Sequence, residues 1–144
     1  MNTKRIGNMG EAAVLNRFVE MQIPVYIPFG DNESADLVAE FNGKLNKIQV
    51  KTSESKESKY VVSLRSSTIR HGKDYRKVYT STDIDYFAIY NIYSKILLLL
   101  PIEEFNGRVA IKVNIEPKST HNQHKMFDWR EYTFEKVIKY RSLV

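Results

Sequence analysis

The dipeptide Asn42-Gly43, set between "SADLVAEF" and "KLNKIQVKTS", constrains this chain more than any other feature. Two residues tolerant of positive φ, flanked by runs of strand-like composition, are the strongest short-range signal for a two-residue β-hairpin. Such a turn fixes the register. Phe41 pairs with Lys44, and counting back along the ladder sets Leu37 opposite Ile48 and Asp36 opposite Gln49. Strand side chains alternate between faces, so Gln49 and Lys51 share one side of their strand while Ile48 and Val50 share the other, which is expected to meet the core. Directly opposed side chains have Cβ atoms about 5 Å apart, and a long side chain on the diagonal stays within reach. The hairpin therefore gathers a carboxylate, an amide and an ammonium at one place.

A divalent cation such as Mg²⁺ takes hard oxygen ligands, commonly one or two carboxylates with water and phosphate oxygens. Asp36 can supply the carboxylate and Gln49 a side-chain carbonyl. A lysine beside the metal can ease formation of hydroxide, orient the attacking water or stabilise negative charge on phosphorus. Phosphodiester hydrolysis is the chemistry these roles serve. The competing account is the solvated side of an amphipathic hairpin, with Glu40 and Lys47 on the same face.

Ahead of the hairpin, Ile6, Met9, Ala13, Val14 and Phe18 recur at helical spacing and predict a helix over about residues 4 to 20, with Thr3 as N-cap. Gly7 and Gly10 weaken such a helix unless something approaches closely. "VYIPFG" reads as a short edge strand, because Pro28 cannot donate to a ladder. "KYVVSLRSS" at 59 to 67 reads as a strand, "DYFAIYNIYSKILLLLPI" as a hairpin turning near Asn91 to Lys95, and "RVAIKVNI" as a late strand. Between them "STIRHGKDYRKVYTST" has no apolar period and is expected to be a basic loop or excursion. "FDWREYTFEKVIKY" carries helix-like spacing of Phe127, Tyr132, Phe134 and Val137 only in part, and a helix is expected there.

The pattern Ala35-Asp36, twelve residues, then Gln49-Val50-Lys51 resembles the PD-(D/E)XK nucleases of the restriction-endonuclease-like fold. Ala35 stands where that family has proline, and Gln49 where it has a second acid. Losing a unit charge about 4 Å from another is worth about 4 kcal/mol at an effective dielectric of 20, so another group should compensate. Glu11, in "GNMGEAA", resembles the helix-borne acid many members contribute, and Gly7 and Gly10 would let that helix lie close to the hairpin. The resemblance also implies the Val50 main-chain carbonyl as a metal ligand. The Gln-x-Lys variant with an early Gly-x-x-Gly-Glu helix is most similar to homing endonucleases encoded within bacterial group I introns, which act as symmetric dimers or tetramers. What this implies is an α/β domain with a mixed central sheet, the first helix packed on it, and Mg²⁺-dependent cutting of double-stranded DNA. The expected catalytic residues are Glu11, Asp36, Gln49 and Lys51; the expected metal ligands are Asp36, Gln49, Val50 and Glu11. A Holliday-junction resolvase, a restriction-type enzyme, or an inactive DNA-binding module on the same fold are the alternatives.

Composition is consistent with this. The formal charge of +5 and pI near 9.3 favour a polyanionic partner. Arg70, Lys73, Tyr75, Arg76 and Lys77 are the expected DNA contacts, with Tyr79 a further stacking candidate. The length of 144 residues with 42% hydrophobic content predicts one domain over 1–144. Absence of cysteine excludes a disulfide framework and a Cys-based zinc site. No run approaches the roughly 20 apolar residues of a membrane span and no leader pattern is present, so a cytoplasmic protein is expected. His121 and His124 are a lone i, i+3 pair without a third ligand, a poor metal site. Trp129 is expected in the core or an oligomer contact.

Overall fold

The computed structural model describes residues 1–30, 33–116 and 127–138. Helix α1 (Thr3–Glu20) comes first, capped by Asn2, whose side-chain oxygen accepts the Arg5 N–H at 2.9 Å. Thr3, expected as the cap, is instead the first helical residue; asparagine and threonine both cap well, and the oxygen that reaches the third helical N–H decides between them. The buried residues Ile6, Gly10, Val14 and Phe18 recur every four positions. This stripe is narrower than the sequence spacing suggests, leaving Met9 39% exposed. Gly10 explains why. A Cβ there would lie 1.8 Å from Thr52 Oγ1, so the helix backbone rests directly on the sheet. Gly7 has open space around it, so Gly10 alone of the two seats the helix on the hairpin.

Strand β1 (Val25–Tyr26) is the expected short edge strand, flanked by Pro24 and Pro28. Strands β2 (Leu37–Phe41) and β3 (Lys44–Ser53) form the expected hairpin, with register from Phe41↔Lys44 to Leu37↔Ile48. Asn42 and Gly43 take φ of 52° and 78°, the paired positive values of a type I′ turn. Buried Asn46 pins the turn, its amide nitrogen donating to the Ala39, Phe41 and Lys44 carbonyls at 3.0 to 3.2 Å.

The chain then leaves the sheet. Strands β4 (Lys59–Ser63), β5 (Arg65–Arg70) and β6 (Lys73–Val78) precede β7 (Tyr86–Asn91), which pairs with β3 in parallel. The run 59 to 67 is thus two strands broken at Leu64. Residues expected to be a basic loop form the β5–β6 hairpin, turning at His71-Gly72 with φ of 51° and 76°. Strand β8 (Leu97–Pro101) completes a five-stranded mixed sheet in the order β1-β2-β3-β7-β8. A short helix α2 (Ile102–Phe105) follows, then β9 (Ala110–Asn114), which pairs antiparallel with β4. The helix expected over 127 to 140 is a 3-10 turn (Trp129–Tyr132) and a short helix α3 (Phe134–Val137) in its described part. Its aromatic spacing reflects a cluster instead: Phe105 meets Phe127 and Tyr132 at ring separations of 5.8 and 5.3 Å. His121 and His124 lie outside the described residues.

Apolar side chains cover both faces of the sheet. On one, Val14 and Phe18 of α1 pack on Leu37, Ala39, Ile48, Val50, Ala88 and Leu99, closed by Phe134 of α3. On the other, Phe87, Ile89, Leu98 and Leu100 meet Tyr60, Val62 and Leu64 of the crossover and Ile111 and Val113 of β9. The leucine run of β8 is continuous because both sides of the strand are buried. Trp129 packs against this second core, with the Arg130 guanidinium 4.7 Å from its ring. Arg17 pairs with Glu135, joining α1 to α3. Among the described residues, no helix is long and apolar enough to cross a membrane.

Candidate active site

The β2–β3 ladder ends at Leu37↔Ile48, and Asp36 stands one step beyond it. There its backbone N–H donates to the Ile48 carbonyl at 2.8 Å, while its carboxylate Oδ2 accepts the Val50 N–H at 2.8 Å. These two bonds bracket Gln49. A carboxylate thus occupies the place where the ladder would otherwise continue, tied to the backbone between Gln49 and Lys51.

Gln49 and Lys51 project to the face away from α1, in register with Phe87 and Ile89 of β7. Gln49 is half-buried, and its amide nitrogen donates to the Val50 carbonyl at 3.3 Å. The Lys51 ammonium donates to the main-chain carbonyl of Arg65 at 2.6 Å and lies 5.6 Å from the ring centre of Tyr79. Glu11 is half-buried on α1, one residue after the glycine that seats the helix on Thr52.

The charges act on one another. Burial pushes the Asp36 carboxyl above its ordinary value, against the Val50 N–H bond and the Lys51 charge, which pull it down. Glu11 is also raised, first by burial and then by the negative charge of Asp36. Lys51 is lowered by burial, with Asp36 opposing. Desolvation wins at all three. Among the described residues no three acidic, histidine or cysteine side chains converge as a metal cage. The groups expected as ligands, the Asp36 and Glu11 carboxylates, the Gln49 amide and the Val50 carbonyl, carry hard oxygens of the kind magnesium accepts.

The expected DNA contacts divide by face. In the β5–β6 hairpin Arg70 opposes Lys73, Thr68 opposes Tyr75 and Ser66 opposes Lys77, so Arg70, Lys73, Tyr75 and Lys77 share one side. Arg76 is on the other, with Arg65. Lys77 is tied to Asp83 at 2.8 Å and Arg76 to Asp74 at 3.0 Å. Tyr79, expected to stack on bases, is buried edge-on against Phe87 at 5.6 Å and forms part of the wall under Lys51. Two participants escaped the sequence reading: Arg65, whose carbonyl orients Lys51, and Thr52, against which Gly10 rests. Neither has a motif, since one acts through its backbone and the other through its position.

Comparison with known proteins bears on the family and the fold. Residues 1–135 match the sequence profile of the PD-(D/E)XK endonucleases, and the chain belongs to that family. Among solved structures it is similar to a bacterial homing endonuclease, I-Ssp6803I, with 26% sequence identity and a TM-score of 0.72 over 92% of this chain and 89% of that one. No curated protein matches the sequence. The mixed five-stranded sheet with its N-terminal helix is the restriction-endonuclease-like fold.

Proposed function

We propose that this endonuclease is a site-specific, Mg²⁺-dependent enzyme of the homing type that cuts double-stranded DNA in the cytoplasm. The observation carrying this reading is the Asp36 carboxylate bound to the Val50 N–H between Gln49 and Lys51, with Glu11 close enough to feel its charge. Asp36 and Glu11 would hold the cation, with Gln49 and the Val50 carbonyl as neutral ligands. When bound, magnesium lowers the cost of forming hydroxide from water and neutralises charge on the phosphoryl oxygens. Asp36 and Glu11 would hold it in their ionised forms, which burial alone disfavours.

Lys51 is the residue that meets the nucleophile. Its bond to the Arg65 carbonyl uses one of its three donors and fixes the side chain's direction. Its lowered pKa makes it readier to exchange a proton with an attacking water than an exposed lysine would be. The remaining donors can stabilise negative charge at phosphorus. One chain offers one such centre, so cutting both strands calls for a homo-oligomer of two or more copies.

The test is Asp36→Ala and Lys51→Ala, made separately and assayed for cutting and for binding of duplex DNA. Cutting is expected to vanish while binding survives; cutting retained by both variants overturns the assignment. A second reading, an inactive DNA-binding module, draws on the neutral Gln49 and its bond to the Val50 carbonyl. Supercoiled plasmid left intact at every magnesium concentration would favour it.

A further inference from the structure

Beside Lys51 a cleft of about 490 Å³ opens between the start of α1, the end of β3, the end of β4 and the start of β5. It is lined by Thr3, Lys51, Thr52, Arg65, Ser66 and Arg76 among others, and no described carboxylate lines it. Its character is that of an anion site: one ammonium, two guanidiniums and several hydroxyls. Arg65 and Arg76 are diagonal neighbours on one face of the β5–β6 hairpin, since Arg65 opposes Val78 and Ser67 opposes Arg76. Arg76 already has Asp74 as a partner. Arg65 Nε is buried and has no hydrogen-bond partner. A buried donor left unpaired costs about 1–3 kcal/mol, and more when it is charged, so this guanidinium has bonding capacity to spare.

We propose that Arg65, with Arg76, forms a subsite for a backbone phosphate flanking the one that is cut, an inference that rests on the nuclease reading above. A guanidinium presents a planar fork of donors that matches phosphate oxygens. The Arg65 carbonyl is 2.6 Å from the Lys51 ammonium, so a phosphate gripped here and one attacked beside Lys51 are close neighbours along a strand. Binding energy at the first then holds the second in line with the nucleophile. Arg65 is a positioning residue with two separate parts: its backbone orients Lys51, and its side chain seats the strand. Replacing the side chain leaves the carbonyl in place.

The experiment measures the salt dependence of binding to a short duplex in EDTA, where nothing is cut, together with cutting of plasmid in Mg²⁺. Each lost phosphate contact lowers the slope of log K against log salt by about 0.9. Arg65→Gln is expected to lose about that much slope and to cut about 10²-fold more slowly. Arg65→Met keeps the packed stem and should read the same, providing the measurement if the glutamine variant does not fold. A neutral methylphosphonate next to the mapped cut should slow the parent enzyme and add no penalty in either variant. An unchanged slope in a variant that still unfolds cooperatively overturns the subsite, whether or not the parent cuts. A parent that never cuts plasmid overturns the nuclease reading, while the slope still decides the subsite.

Discussion

The β2–β3 and β5–β6 hairpins use one backbone device for two purposes. Both turn on paired positive φ values, at Asn42-Gly43 and at His71-Gly72. The first buries Leu37, Ala39, Phe41, Ile48 and Val50 on one side. A slip of one residue would turn that whole set to the opposite face, so its register is strongly enforced. Along β6 every residue from Lys73 to Lys77 is exposed. The lesson is that burial, more than the turn, fixes the position of Asp36 to within a hydrogen bond, while the second hairpin can adjust to a partner at little cost.

Substitutions that compare the two hairpins sharpen this contrast. Lys51→Ala should lower the cutting rate of bound enzyme by about 10²–10⁴-fold, in the range general acid–base groups contribute, with duplex affinity nearly unchanged. Single-turnover kinetics at saturating enzyme checks it. Gly10→Ala should destabilise the chain by about 1–3 kcal/mol through overpacking against Thr52, as read by denaturant unfolding. Adding Thr52→Ala should recover part of the loss. Lys73→Ala on the second hairpin should reduce the salt slope of DNA binding by about one and leave the single-turnover rate alone. A fall in that rate comparable to Lys51→Ala would erase the proposed division of labour.

The smallest effect is a gain. Because burial holds the Asp36 carboxyl above its ordinary value of 3.8, the folded chain binds that proton more tightly than the unfolded one. The stability this contributes is complete below 3.8 and is lost as pH rises through the folded pKa. Asp36→Asn keeps an acceptor for the Val50 N–H without the charge. In metal-free buffer it should melt slightly higher than the parent at pH 7, the difference closing as the pH falls below the ordinary carboxyl range. Magnesium should reverse the order by binding only the parent.

What was legible in the sequence follows the same division. Asn42-Gly43, the alternation around it and the spacing of Ile6, Val14 and Phe18 all describe surfaces that are buried, and burial leaves a period. The β5–β6 hairpin has no such period, because Lys73 to Lys77 are all exposed; only His71-Gly72 marks it, and histidine is not among the residues that such two-residue turns prefer. Aromatic spacing near the C-terminus misled because Phe127 and Tyr132 serve a cluster around Phe105 and do not line one helical face. The Arg65 contribution at the site was invisible, since a backbone carbonyl has no letter in the alphabet.

One contact at the far side of the sheet limits how that sheet can be extended. Thr133 forms a lone antiparallel bridge to Leu98, occupying backbone groups along β8 that a neighbouring molecule would need in order to extend the sheet. At the opposite border only Val25–Tyr26 is extended, with prolines at 24 and 28. Both margins discourage edge-to-edge growth into fibres, leaving side-chain surfaces as the ground on which any second molecule would have to be met.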